Sequence, residues 1–205
     1  APALPAGPIV AVAAGFDHSV ALHANGQIRA WGSNASGQNT ALSLPPAQTY
    51  EQVACTATTT FARRSDGAIV GWGSNGFGQL TVPPLPAGVV YLDLSCGGGH
   101  VLALRSDGVA VSWGANTVGQ AVVPAPPGGV TYVDVAAGNS HSLALRSDGQ
   151  LVAWGYNNAG QSSVSQPPAG VSYVQLSAGL GQSMALRSDG QIVGWGGNFW
   201  GERDA

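Results

Sequence analysis

Apolar and polar residues alternate in short runs along the whole chain, and no helical periodicity appears. The clearest stretch predicts four strands, at residues 132–137, 142–146, 150–154 and 161–164. Alternation with a period of two is typical of a half-buried strand. Ser147-Asp148-Gly149, between the second and third runs, favours a tight hairpin turn in which glycine supplies the positive φ. The stretch therefore predicts one four-stranded antiparallel unit.

This unit recurs along the chain at a constant spacing. Successive tryptophans lie 41 residues apart, at Trp31, Trp72, Trp113, Trp154 and Trp195. A period of about 40–50 residues with several short strands per unit is typical of β-propeller blades. We predict an all-β protein, with residues 1–205 forming a single β-propeller domain of five four-stranded blades. The blades are expected at approximately 9–44, 50–85, 91–126, 132–167 and 173–205.

The two ends of the chain favour a closed ring. Pro5-Ala6-Gly7 is similar to Pro86-Ala87-Gly88 and Pro168-Ala169-Gly170, which link successive blades. A closed ring leaves no blade interface exposed, whereas an open arc exposes two apolar faces. We expect a closed five-bladed monomer, and the alternative is one part of a larger ring or assembly.

The recurring residues resemble a known repeat family. The unit Gly-x-x-His-Ser-x-Ala-Leu-x-x-x-Gly-x-x-x-x-Trp-Gly-x-Asn-x-x-Gly-Gln, complete from Gly138 to Gln161, resembles the regulator of chromosome condensation repeat. The ending Gly-Gln-x-x-Val-Pro, at 78–83 and 119–124, and the segment 195–202 are similar to the family of β-lactamase inhibitory protein II. The resemblance implies a β-propeller, although the familiar members have seven blades. It implies no single function, because such blades serve exchange factors, photoreceptors and inhibitors.

Composition narrows the classes of partner. Charged residues make up 8% of the chain, lysine is absent and the net charge is −3. Such a surface lacks the dense phosphate contacts of nucleic-acid binding, so we expect no nucleic-acid partner. No apolar run approaches the roughly 18–20 residues that span a bilayer, so we expect no membrane insertion. The start at Ala1 fits a mature secreted or periplasmic protein as well as an artificial start, and we expect an exported bacterial protein.

The histidines are candidates for metal binding. His18, His100 and His141 occupy equivalent positions, where the other copies have Thr59 and Gln182. Histidines repeated around a ring can converge on a metal, but the Thr and Gln substitutes favour a hydrogen-bonding role. Neither a nucleophile elbow nor a phosphate-binding loop is present in the sequence. We therefore expect no enzyme, no catalytic residues, no metal and no cofactor.

Other recurring polar residues are explained by the repeat itself. Aspartates are expected to cap the hairpin turns at Asp66, Asp107, Asp148 and Asp189, and the arginines before them either neutralise nearby carboxylates or hydrogen-bond to backbone carbonyls. Recurring asparagines are expected to close a loop in each blade, although Asn34 also heads a glycosylation sequon. Cys55 and Cys96 stand at the same place in neighbouring copies and form either a disulfide or two small buried thiols.

The residues that depart from the repeat are the candidates for binding. Two loops per blade vary, one between Gly and His and one between Asn and Gly-Gln. Large aromatic side chains in exposed loops are enriched where proteins anchor partners. We predict that the partner-binding residues are Phe16, Asp17, Phe77, Asn139, Tyr156, Leu180, Phe199 and Trp200. Phe16, Phe199 and Trp200 are expected to lie close together if the ring closes.

These patterns predict a secreted, non-enzymatic, protein-binding propeller that recognises its partner through loops on one face. One alternative is a structural building block that assembles with copies of itself or with a larger complex. Two others are an inhibitor of the β-lactamase type and a carbohydrate-binding propeller, in which aromatic rings stack on sugars.

Overall fold

Five small antiparallel sheets form in the part of the chain that the structure describes, and each sheet is one copy of the repeat. The computed structural model describes residues 7–198. Each sheet has three strands in the order of the chain. The strands are β1 (Ile9–Ala14), β2 (His18–His23) and β3 (Ile28–Gly32) in blade 1; β4 (Tyr50–Cys55), β5 (Thr59–Arg64) and β6 (Ile69–Gly73) in blade 2; β7 (Tyr91–Cys96), β8 (His100–Arg105) and β9 (Ala110–Gly114) in blade 3; β10 (Tyr132–Ala137), β11 (His141–Arg146) and β12 (Leu151–Gly155) in blade 4; and β13 (Tyr173–Ala178), β14 (Gln182–Arg187) and β15 (Ile192–Gly196) in blade 5. Within this range no helix is long and apolar enough to cross a membrane.

Local sequence determines the turns within each blade. In blade 4 the Gly149 N–H donates to Arg146 O at 2.9 Å, and Gly149 has a φ of 78°. The hairpin turn needs this positive φ, which glycine adopts without steric cost. The first strand carries a bulge after Tyr132, and every other blade has the bulge at the equivalent position. The repeated turns and bulges give all blades the same register.

The hydrophobic core lies between successive blades. At the junction of blades 4 and 5, three leucines of blade 4 pack against the first and third strands of blade 5: Leu143, Leu145 and Leu151 against Tyr173, Leu176 and Trp195. We call the surface that contains the three leucines, and its equivalent on other blades, the trailing face; the surface with Tyr173, Leu176 and Trp195 is the leading face. Burying each side chain of this size stabilises the fold by about 1.5–3 kcal/mol.

The prediction of four-stranded blades was wrong, because no fourth strand joins any sheet within residues 7–198. Residues 161–164 pair with no strand of the blade. The Ser163 N–H donates to Gly160 O and closes a turn, while Gln161 O accepts the Ser183 hydroxyl of the next blade at 2.8 Å. Pro167 and Pro168 follow and have no N–H to donate. The backbone groups of residues 161–164 therefore form hydrogen bonds within a loop and across the junction between blades, and they do not extend the sheet.

The predicted closed ring is not confirmed by the part of the chain that the structure describes. Each core cluster of residues 7–198 joins two successive blades, and none joins blade 5 to blade 1. Trp31 on the leading face of blade 1 is 48% exposed, whereas its four equivalents are at most 8% exposed. Four junctions are thus built, and the two outer faces are open to solvent in this range.

Candidate functional site: the loop face

Two loops of each blade emerge on the same side of the molecule, because antiparallel strands place the end of the first strand beside the end of the third. We call this side the loop face; in blade 1 it contains residues 15–17 and 33–40. Among the described residues of these loops, Asp17 is the one aspartate, glutamate, lysine or arginine. The hairpin turns lie on the opposite side. That side carries four ion pairs, Arg64–Asp66, Arg105–Asp107, Arg146–Asp148 and Arg187–Asp189. The hairpin-turn side therefore carries many more charged side chains than the loop face.

The ion pairs of the hairpin turns confirm the turn-capping role predicted for the aspartates. Asp66 Oδ1 accepts the Ala68 N–H at 3.1 Å, and Asp148 Oδ1 accepts the Gln150 N–H at 3.2 Å. The hydrogen-bonded Arg64 guanidinium is the main cause that lowers the pKa of Asp66 to about 2. These carboxylates are engaged in their own turns and do not form an acid–base pair.

Buried side chains hold the second loop of each blade in place. In blade 4 the buried Gln161 accepts the Ala159 N–H through Oε1 at 3.0 Å. Asn157 Oδ1 accepts the Ser162 N–H at 2.8 Å, and the equivalent asparagines of blades 1 to 3 make the same bond. The predicted loop-closing role of these asparagines is confirmed. Because the frame is constant, the residue at the position of Ala159 can vary freely.

The first loops of the five blades surround a central depression of about 390 Å³. Backbone hydrogen bonds of 3.0–3.2 Å link each loop to the next, from Phe16 N to Ala57 O, Ala57 N to Gly98 O, Gly98 N to Asn139 O and Asn139 N to Gly179 O. Phe16 and Leu180 lie at the two ends of this arc and are 83% and 77% exposed. The depression is thus shallow and apolar at its ends, with small residues between them.

A larger cleft, of about 710 Å³, adjoins the central depression at the junction of blades 4 and 5. We call it the loop cleft, and its lining includes Val118, Asn139, Tyr156, Ala159, Leu180 and Gly181. The Tyr156 N–H donates to Ser140 O at 2.9 Å, and its hydroxyl accepts a hydrogen bond from Asn158 Nδ2 at 3.0 Å. These bonds position the tyrosine ring at the wall of the cleft.

The loop cleft exists because small residues occupy positions that larger groups fill elsewhere. Phe77 of blade 2 is the equivalent of Ala159, and its ring lies over Gly99 of blade 3: a Cβ on Gly99 would be 3.0 Å from Phe77 Cδ2. Gly181 is the equivalent of Gly99 in blade 5, and a Cβ there would meet nothing within 4 Å. The volume that Phe77 fills between blades 2 and 3 is therefore open between blades 4 and 5.

Several of the predicted binding residues come together in this region. Asn139, Tyr156 and Leu180 line the loop cleft, and Phe16 joins Asn139 and Leu180 around the central depression. Phe77 lies apart, over blade 3, and Asp17 lies in the first loop of blade 1. Phe199 and Trp200 lie outside the described residues, so their predicted proximity to Phe16 stays a prediction.

The predicted binding residues did not include those that create the space, namely Val118, Ala159 and Gly181. Residues 156–159 vary between blades in the sequence, but small side chains in one loop do not by themselves indicate a cavity. A signal was nevertheless present: in the repeat, Ala159 stands where blade 2 has Phe77.

The histidines belong to the junctions between blades and confirm the predicted hydrogen-bonding role. His100 Nε2 and Ser142 Oγ of the next blade are 2.9 Å apart, and His141 makes the same contact with Ser183 at 2.8 Å. Burial lowers the pKa of His100 to about 4, and the neighbouring His141 adds to the effect. The imidazole is therefore neutral at pH 7. No group of three metal-ligating side chains occurs in residues 7–198.

Cys55 and Cys96 are free thiols in the structure and both line the central depression. Burial raises the pKa of the Cys55 thiol to about 11 and that of the Cys96 thiol well above its usual value. Of the two alternatives for these residues, the structure has the pair of protonated thiols.

The blades, their buried junctions and the loop face together define a protein of the β-propeller class. The sequence profile described as "Regulator of chromosome condensation (RCC1) repeat" matches residues 9–38, 50–79, 92–120 and 132–161, more than half of the chain. The chain therefore belongs to the RCC1 repeat family. No curated protein sequence matches it significantly.

Solved structures with the same fold include proteins of yeast, human and moss. Prp20p of Saccharomyces cerevisiae matches with 23% identity and a TM-score of 0.78, over 92% of this chain and 57% of Prp20p. Human WBSCR16 matches with 21% identity and a TM-score of 0.78, over 93% of this chain and 62% of its own. The ectodomain of the receptor kinase CR4 of Physcomitrella patens matches with 23% identity and a TM-score of 0.74, over 98% of this chain and 55% of its own. The chain thus spans little more than half the length of these proteins, and the similarity shows the fold.

Proposed function

We propose that the protein is a non-enzymatic binding module that holds a segment of another protein in the loop cleft. The observation that carries this proposal is the cleft itself, a concave site of about 710 Å³ on a face with almost no charge. Sites of this size, lined by apolar groups and a few polar ones, are typical of ligand binding. The absence of cations in the described loops disfavours a nucleic-acid ligand, because phosphate contacts need them.

The chemistry of the lining indicates the kind of segment. Leu180 and the Tyr156 ring offer apolar contact to one side chain of the ligand, such as Leu or Phe. The Tyr156 hydroxyl accepts from Asn158 and keeps its own hydrogen to donate, so it can bind a backbone carbonyl of the ligand. Asn139 lies beside them and supplies a further polar group at the rim.

Two structures of a fold neighbour support a protein partner. Prp20p is described with binding properties to Gsp1p and histones, and yeast RCC1 (Prp20) with Kap60 bound to it. Those partners belong to Prp20p, which is much longer than this chain, but they show that this fold can present a surface to other proteins. Export of the protein stays a prediction.

Selection from a random peptide display library on the immobilised protein tests the proposal. We expect enriched peptides to share an apolar residue and to bind the Tyr156→Ala/Leu180→Ala variant at least ~30-fold more weakly, because two anchors are removed. Phe77→Ala is the matched control, since it removes another exposed loop side chain of the same face and should leave binding unchanged. Failure to enrich any peptide, or equal binding to the double variant, would contradict the proposal.

A further inference from the structure

We propose that blade 5 of one chain packs on blade 1 of a second copy of the same chain, head to tail, through the junction that already joins the blades within one chain. The surfaces involved are the leading face of blade 1 and the trailing face of blade 5. The apolar residues of both faces lie outside the loop cleft, and Gln182 of the trailing face also lines it. The inference does not depend on the proposed binding function.

The leading face of blade 1 is apolar and uncovered. Val12 is 72% exposed, whereas the residues at its position in the other blades, from Val53 to Leu176, are at most 8% exposed. Ile9 and Trp31, on the same face, are 57% and 48% exposed. Apolar groups of this size are seldom displayed together on the surface of a monomer.

The trailing face of blade 5 is the complementary surface. Ile192 is 51% exposed, whereas its equivalent Leu151 is 6% exposed beneath blade 5. Met184 and Leu186 are half-buried, although the leucines at their positions in blade 4 are buried. These three side chains line a groove of about 230 Å³. In blades 1 to 4 the same face is covered by the next blade.

We expect a second copy of this chain to cover these two faces, because the four junctions within the chain all use the same kind of contact. Each joins a trailing face to a leading face. A second chain offers to Met184, Leu186 and Ile192 a leading face made of Ile9, Val12 and Trp31. The new junction would thus continue an established series.

Polar groups match as well. Gln182 takes the place of His141, and its Oε1 accepts the Gly181 N–H at 3.1 Å, which leaves the Nε2 hydrogens to donate. The hydroxyl at the receiving position in blade 1 is that of Ser19, the equivalent of Ser183. Ser19 is half-buried, whereas Ser183 is fully buried under blade 4. A Gln182–Ser19 hydrogen bond would therefore replace the His141–Ser183 contact.

One residue of the leading face of blade 1 carries a charge. Arg29 stands where the other blades have a valine, and those four valines are only half-buried in their junctions. The position lies at the rim of the interface, so the aliphatic part of Arg29 can pack while its guanidinium stays in water. The two end faces differ from each other, so the contact is heterologous and extends into a chain of copies or a larger ring.

Two charge substitutions test this inference on the full chain. Val12→Arg blocks the leading face of blade 1 alone, and Ile192→Arg blocks the trailing face of blade 5 alone. We expect the unsubstituted protein to increase in mass with concentration in light scattering and analytical ultracentrifugation. Each variant alone should associate at least ~30-fold more weakly, because an unpaired charge enters the junction. Val122→Arg, at a residue 59% exposed on neither end face, is the matched control and should assemble normally.

Mixing the two variants tests directly whether the two end faces bind each other. Val12→Arg retains an intact blade 5 and Ile192→Arg retains an intact blade 1, so an equimolar mixture should form a one-to-one dimer and nothing larger. The unsubstituted protein remaining monomeric up to ~100 µM would overturn the proposal, and so would a mixture that stays monomeric. Peptide binding to the loop cleft of either variant should be normal, so the two proposals can fail separately. Melting curves of both variants show whether they fold.

Discussion

Blades 2 and 4 have the same arrangement of strands, turns and junctions, and three of the sequence differences between them are informative. Blade 2 has Thr56 and Thr59 where blade 4 has Gly138 and His141. Blade 2 carries Phe77 on the loop face, where blade 4 carries Ala159. The linker before blade 2 contains Ala47, whereas the linker before blade 4 has glycine at that position. Each difference shows a different kind of constraint.

Within the junction the residues vary together. A Cβ on Gly138 would lie 2.1 Å from Cε1 of His141, so this imidazole requires a glycine three residues earlier. Blade 2 lacks the imidazole, and Thr56 occupies the vacated space as a buried side chain. The Thr59 hydroxyl donates to Ser74 O at 2.8 Å, which keeps the position hydrogen-bonded. Replacing the glycine thus requires replacing the histidine, whereas the histidine can change alone, as in blade 5 with Gly179 and Gln182.

On the loop face, by contrast, the difference between Phe77 and Ala159 has no matching change in the blade frame. Gln79 and Gln161 accept the N–H of Phe77 and Ala159 respectively, with nearly identical geometry. The side chain at this position therefore changes the shape of the surface and leaves the fold intact. This is the property expected of a position that adapts a repeat to a ligand.

The largest effect is expected from breaking the junction pair of blade 4. Gly138→Thr alone should destabilise the protein by about 3 kcal/mol, because the new side chain meets the His141 ring and the Gly179 carbonyl. Adding His141→Thr should recover at least ~1 kcal/mol of that loss, since the pair then matches blade 2. Urea denaturation of Gly138→Thr, His141→Thr and the double variant measures the three changes in stability. Strict additivity of the two substitutions would show that the pair is not coupled.

Acid should destabilise the junctions that contain histidine. The pKa of His100 is about 4 in the folded protein, below the value of about 6.5 of an unfolded chain, so the unfolded state binds the proton more readily between these values. Stability should therefore fall by on the order of 3 kcal/mol as the pH drops from about 6.5 to about 4. His100→Gln, which introduces the residue found in blade 5, should reduce the slope of stability against pH, measured by thermal melts at several pH values. It should not abolish the slope, because burial also lowers the pKa of His18 and of His141. An unchanged slope would contradict this cause.

A smaller gain is expected in the linker before blade 2. Ala47 has a φ of 63°, while the equivalent Gly129 before blade 4 has a φ of 79°. A left-handed conformation costs a non-glycine residue about 1–2 kcal/mol, and the more flexible unfolded chain of a glycine variant offsets part of the gain. Ala47→Gly should therefore stabilise the protein by about 0.5–1 kcal/mol in denaturant melts. Gly129→Ala should shift the midpoint in the opposite direction; the same sign for both would refute the explanation.

The smallest changes in stability are expected at Gly99, which lies beneath Phe77, and at Gly181, which occupies the equivalent position in blade 5. Gly181→Ala should stabilise the protein by about 0.5 kcal/mol, because the added methyl meets no neighbour and restricts the unfolded chain. Gly99→Ala should give no such gain, because the methyl would displace the Phe77 ring. Differential scanning calorimetry of the two variants measures the difference. Equal shifts would mean that Phe77 does not rest on Gly99.

The repeat allowed most of the fold to be predicted from the sequence. The three strands of blade 4 were predicted nearly as they occur, because alternation and the turn at Gly149 are local properties. The fourth strand was predicted wrongly, because Gln161 O bonds to Ser183 of the next blade, and this bond exists only after the blades have stacked. Ring closure depends on the angle between successive blades, summed over four junctions. A local sequence pattern does not determine this angle.

The candidate site was predicted in part, for a related reason. Asn139, Tyr156 and Leu180 were singled out as departures from the repeat, and they do line one cleft. Their proximity and the depth of the cleft depend on Ala159 and Gly181, whose contribution is the space they leave. Empty volume between blades is a property of the packed molecule and has no counterpart in the side chains of one loop.

Titration calorimetry of a selected peptide against Ala159→Phe tests the central claim most directly. If the ligand occupies the loop cleft, the phenylalanine fills the site as Phe77 fills the space between blades 2 and 3, and we expect affinity to fall by ~100-fold or more. Ser36→Phe places the same side chain at the equivalent position of blade 1 and should leave affinity unchanged. Equal affinity of the peptide for Ala159→Phe and for the unsubstituted protein would contradict binding in the cleft.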